Sequence, residues 1–194
     1  MAHVEEAHAD HPSSLDISKF GMWLFLASEV MFFAGFITAY IVLRTADRGE
    51  VFSHGQHGLN KVLAALNTAV LIFSSFTMVM AVHASKKGNT PKIKLNLILT
   101  ILCGFGFMII KFIEYKAKLD AGHGPGFDLF YATYFTLTGF HGLHVLAGMI
   151  ALAIVLANAG KFNAAYNTPV EVTGLYWHLV DLVWIFLFPI VYLI

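Results

Sequence analysis

Five apolar runs, each long enough to cross a bilayer, dominate this sequence: roughly 20–43, 62–83, 95–115, 129–157 and 172–193. A helix rises about 1.5 Å per residue, so about 20 residues cross a hydrocarbon core about 30 Å thick. Every backbone N–H and C=O must find a partner there, which makes such runs helical. The connections carry the charges and chain breakers, in RTADRGEVFSHGQHG, SKKGNTPK, KAKLDAGHGPG and GKFNAAYNTP. The pattern predicts an all-α polytopic membrane protein, a bundle of five transmembrane helices. Its single domain is expected over 20–194, behind a polar tail over 1–19. An odd number of spans places the two termini on opposite sides.

Composition agrees. Charged residues are 12% of the chain and hydrophobic ones 58%, against an average of about 25% charged in soluble domains. The net charge is zero, so nothing points to a nucleic-acid partner. One cysteine, Cys103, excludes an internal disulfide and a cysteine-based metal cluster, and it reads as an inert packing residue. The stretch MAHVEEAHADHPSSLD is polar and acidic, unlike a cleavable signal peptide, so the first apolar run is expected to direct insertion itself. Basic residues are shared evenly between the two sides. Four of them, Lys86, Lys87, Lys92 and Lys94, crowd one short loop and favour a cytoplasmic N-terminus.

Ionisable groups inside hydrocarbon are costly, so each is a functional candidate. They are Glu29 in the first run, His141 and His144 in the fourth, and His178 and Asp181 in the fifth. Counting along the helices places all five about 8–13 Å from the N-terminal side, in one layer. The i,i+3 spacing of His141 with His144, and of His178 with Asp181, puts each pair on one helix face. Gly139, Gly142, Gly148 and Gly174 would let neighbouring backbones approach, bringing polar side chains within hydrogen-bond range. Three readings stay open for the histidines: hydrogen bonding across helices, handling of protons or lipid headgroups, and haem or metal ligation. Two histidines on one helix face cannot be opposite axial ligands of one haem, and HExxH is absent, so no metal site is assigned.

Other features read more simply. Lys111 and Glu114 look like an interface-level pair with a snorkelling lysine. His3, His8 and His11 are expected to be solvated. Trp23, Trp177 and Trp184 fit interfacial anchoring or helix packing. The stretch FSSF at 73–76 lacks the GxSxG context and reads as packing. Pro189 is expected to kink the end of the last span.

The blocks FGMWLFLASEVMFFAGF (20–36), LNTAVLIFSS (66–75), IEY (113–115), TGFHGLHVLAG (138–148) and YWHLVDLVWIFLFPIVY (176–192) resemble subunit III of the haem–copper terminal oxidases. They stand in the family's order and cover nearly the whole chain from about residue 18. The resemblance implies a non-redox subunit of a respiratory, cytochrome c-oxidising complex that reduces oxygen to water and pumps protons. It implies partner subunits I and II, with haem and copper held by the catalytic subunit I, and a larger respiratory supercomplex as a further setting. It also implies bound phospholipid, support of proton uptake and durability, and a bacterial plasma membrane with a cytoplasmic N-terminus and periplasmic C-terminus. Glu29 maps onto the family's carbodiimide-reactive carboxyl; His141, His144, His178 and Asp181 map onto its GFHGLHV and YWHxVDxVW blocks. Longer members have seven spans, of which this chain matches the last five.

The expectation is therefore a five-helix subunit III in which Glu29 and the His/Asp layer form one satisfied polar network. Quinol oxidases and nitric oxide reductase-associated homologues share these blocks. Rivals from other classes are a free-standing proton-coupled transporter, which should show inverted halves with broken helices, and a haem-binding membrane anchor.

Overall fold

A computed structural model describes residues 14–47, 50–163 and 166–194. His3, His8, His11 and Arg48 lie outside the described residues. Six α-helices are seen among them: α1 (Ser14–Ala46), α2 (Glu50–His57), α3 (Lys61–Lys86), α4 (Thr90–Asp120), α5 (Leu129–Ala157) and α6 (Thr168–Phe188). Five are long and apolar enough to cross a membrane, and they contain the five expected runs. α1, α3 and α4 extend beyond the apolar runs, because polar side chains outside the hydrocarbon cap helices instead of ending them, while α5 spans its run and no more. Asn60 and Asn89 accept from the N–H groups of Leu63 and Lys92, and Asp128 accepts from Tyr131 N–H at 2.7 Å. After α3 and α4 the chain turns at Gly88 and Gly122, with φ of 63° and 79°, a conformation in which a Cβ is strained.

The expected loop between the first two spans holds a further helix, α2. Asp47 accepts from Val51 N–H at 2.8 Å, and Phe52 on α2 is buried against Phe130 and Tyr40. A short amphipathic segment with one aromatic anchor carries too little periodicity to be seen in sequence.

α6 is the centre of the bundle, packed against α3, α5 and α1. α4 lies against α3 and α5, while α1 sits at the edge on α6 and α5 and is the least buried span. Trp177 and Trp184 of α6 are fully buried and donate from Nε1 to Ser74 Oγ (3.1 Å) and Thr68 Oγ1 (3.0 Å) of α3. Of the two roles open to these tryptophans, packing is the one realised; Trp23 is exposed. The helix changes from α to π winding at Pro189, giving a π turn over Pro189–Leu193 that brings Tyr192 into the core.

The glycines divide. A Cβ on Gly148 would stand 2.9 Å from Trp177 Cε3, and one on Gly174 would stand 3.1 Å from Met78 and Val82. Both admit side chains of a facing helix, where neighbouring backbones were expected to meet. Gly142 has open space around it, and Gly139 meets nothing nearer than Tyr115 Oη at 3.9 Å, so neither serves contact within this chain. Gly104 does, with Met149 Sδ at 2.9 Å, and went unnoticed because it lies outside the histidine block.

Candidate functional site

The five ionisable groups do not form one network. A three-residue step turns a helix by about 300°, leaving side chains ~60° apart. In a bundle this is enough to send neighbours into different seams.

Glu29 and His144 meet between α1 and α5. His144 Nε2 stands 2.9 Å from Glu29 Oε2, and Nδ1 stands 2.7 Å from the carbonyl of Phe140. Phe32 and Phe33 flank the imidazole, and Tyr176 Oη donates to the backbone carbonyl of His144 at 3.2 Å. A carbonyl only accepts, so Nδ1 carries a hydrogen. One further proton must then lie between Nε2 and the carboxyl, as O–H···N in a neutral pair or N–H···O in an ion pair. With none, two lone pairs would face each other. Both side chains of the pair are mostly but not wholly buried.

His178 goes elsewhere, its Nδ1 2.7 Å from Ser75 Oγ of α3. His141 is fully buried, stacked on Trp184 and edge-on to Phe107. Among the described residues neither of its ring nitrogens has a hydrogen-bond partner, nor does either carboxyl oxygen of Asp181. The expectation of a single satisfied layer is corrected accordingly: one interhelical pair, one histidine–serine contact and two unpartnered groups share a depth but not a network.

A second correction concerns Lys111 and Glu114. They do not snorkel to the interface; both are 7% exposed, held between α4, α5 and the π turn. Lys111 Nζ donates to Glu114 Oε2 (2.9 Å), Tyr192 Oη (2.5 Å) and Tyr134 Oη (3.3 Å), using all three N–H bonds. Tyr192 Oη donates in turn to Glu114. The rings of Tyr115, Tyr134, Trp184 and Tyr192 stand 4.9–5.7 Å from the ammonium, within cation–π range. The cage was hidden in sequence because its tyrosines come from three distant segments. The available signal was the i,i+3 lysine–glutamate pair on a helix that runs to Asp120.

No group of three or more metal-ligating side chains occurs among the described residues. The chemistry on display is hydrogen bonding and charge pairing at membrane depth.

Five long apolar helices, α6 at their centre, with polar pairs built into their seams, define a multi-pass helical-bundle membrane protein. The profile of the family described as Cytochrome c oxidase subunit III matches residues 4–194. The chain belongs to the cytochrome c oxidase subunit III family. It is 37% identical over 176 residues to the probable cytochrome c oxidase subunit 3 of Nocardia farcinica, covering 90% of this chain and 86% of that protein. Cytochrome c oxidase subunit 3 of Pelomedusa subrufa is 36% identical over 188 residues, 93% of this chain and 71% of that one. Quinol oxidase subunit 3 of Bacillus spizizenii is 30% identical over 200 residues, 100% of this chain and 97% of that one.

Proposed function

We propose that this chain is the accessory, non-redox subunit III of a proton-pumping respiratory cytochrome c oxidase. In this reading it lies beside a catalytic subunit I that holds the haems and copper, with subunit II alongside, and binds none of these groups itself. It sits in a bacterial plasma membrane with the N-terminus cytoplasmic, as the lysine-rich loop between α3 and α4 favours. Phospholipid fills the surface where exposed apolar side chains such as Phe20, Met31 and Phe112 face outward.

The observation that carries the reading is the Glu29–His144 pair, within a chain whose family is that of an oxidase subunit. A one-proton holder between α1 and α5 suits a subunit that supports proton uptake by its neighbour. His141 contributes packing and His178 a local hydrogen bond to Ser75 in this account, and the close approaches at Gly148 and Gly174 hold the bundle rigid.

The test is mild-detergent purification of this chain from its native membrane, with identification of its companions and a reduced-minus-oxidised spectrum. Recovery of a large haem- and copper-bearing chain, with oxygen consumption driven by cytochrome c, is the expected result. A colourless chain recovered alone, while the oxidase core stays intact, would overturn it. A second reading, a subunit of a quinol oxidase, is favoured by the full-length match to the Bacillus spizizenii protein. The same preparation separates the two by whether quinol replaces cytochrome c as donor.

A further inference from the structure

Asp181 is 3% exposed, yet neither carboxyl oxygen has a hydrogen-bond partner among the described residues. The nearby hydroxyls have other partners. Ser74 donates to the carbonyl of Leu71 at 2.7 Å and accepts from Trp177, and Ser75 is bonded to His178. Both lie alongside Asp181, and the Ser75 proton is free to turn towards it when His178 Nδ1 is the donor, yet as placed neither hydroxyl makes a hydrogen bond to the carboxyl.

The carboxyl lines a cavity of about 250 Å³ in the seam between α3 and α6. Its rim is apolar and faces outward: Ile72, Leu182 and Ile185 are 54%, 48% and 43% exposed. His178 lines this cavity and also the larger cleft of about 500 Å³ near the Lys86 end of α3, so the seam is open along much of its length.

An unpartnered polar group in hydrocarbon costs several kcal/mol on the order of magnitude found for such transfers. Acyl chains closing over the seam would leave that cost standing, because they carry no donor. Phospholipid headgroups carry donors, but Asp181 sits about 13 residues into α6, near the bilayer middle, beyond their depth. What fits an apolar-rimmed groove with a carboxyl at its floor is another helix carrying a hydroxyl, amide or ammonium side chain.

We propose that the α3–α6 seam is the docking groove for a transmembrane helix of another chain of the oxidase complex, which presents a side-chain hydrogen-bond donor to Asp181. The inference rests on the complex membership proposed above and adds the face and the anchoring residue.

The test places a photoreactive benzophenone side chain at Ile72 or at Ile185 in the assembled complex, in native membrane, with Asp181 intact. Adducts to another oxidase chain from both positions are expected. With the probe at Ile185, Asp181→Leu should lower that adduct about tenfold, the loss of one hydrogen bond to a buried acceptor, while Asp181→Asn keeps most of it. Adducts to lipid alone, adducts to a second copy of this chain, or a full yield with Asp181→Leu would each overturn the proposal while the haem-bearing chain still co-purifies. Failure of that chain to co-purify would instead sink the proposed function, and this docking partner with it.

Discussion

Replacing Lys111 by methionine removes a charge from a buried polar cluster and leaves the volume of its stem nearly unchanged. Glu114 would keep Tyr192 as donor and lose the ammonium 2.9 Å away. Coulomb attraction at that distance, with an effective dielectric constant near 20, is about 6 kcal/mol and sets the ceiling. Measured losses on breaking one partner of a buried pair are about 3–5 kcal/mol, and that range is expected for Lys111→Met. Whole-protein stability is only about 5–15 kcal/mol, so the variant should lose a large part of it. The double variant Lys111→Met/Glu114→Gln removes both charges while keeping an acceptor for Tyr192, and should recover most of the loss. The assay is reversible unfolding in mixed micelles followed by tryptophan fluorescence, since Trp184 stands 4.9 Å from the ammonium and reports the cage directly. A single variant within about 1 kcal/mol of the parent, or a double variant as unstable as the single, would refute the argument that desolvated charge pairing holds this corner together.

The glycines give an internally controlled pair. Gly148→Ala forces a methyl against buried Trp177 and should cost about 1–3 kcal/mol, whereas Gly142→Ala meets nothing and should be neutral or slightly stabilising, both read by thermal denaturation of the purified protein. His141→Phe replaces a ring with no hydrogen bonds by one that stacks equally on Trp184, so stability should hold within about 1 kcal/mol; a fall in complex yield or in protons pumped per electron would show that the imidazole acts beyond packing. Glu29→Gln keeps a donor facing His144 Nε2 and should assemble normally, whereas Glu29→Leu leaves that nitrogen unpaired at a cost of about 1–3 kcal/mol. If Glu29→Gln also leaves proton pumping over prolonged turnover unchanged, the pair is a structural contact and not a proton holder.

The spans were legible because bilayer thickness imposes a length and hydrocarbon imposes a composition, and both are one-dimensional properties of the chain. The candidate residues Glu29, His144 and Asp181 were legible for the same reason: a charge in an apolar run stands out without a partner in view. Pairing was not. Whether His144 reaches Glu29 while His141, one turn earlier, finds no hydrogen-bond partner among the described residues depends on the rotation of α5 against α1, α4 and α6, which no periodicity within α5 encodes. The glycine block around the histidines was a visible pattern, yet within it only Gly148 makes a close approach, and the others are at Gly55, Gly104 and Gly174, chosen by where Phe130, Met149, Trp177 and Met78 fall on facing helices. Lys111 shows the limit most clearly. Sequence placed it near a helix end, where a long cationic side chain reaches water; the π turn at Pro189 swings Tyr192 beneath it and completes a cage. The sequence by itself determined how many times the chain crosses the membrane and which groups are costly there. The tertiary structure alone decided which of those groups find a partner, because partnership is set by distances between helices and not by spacing along one.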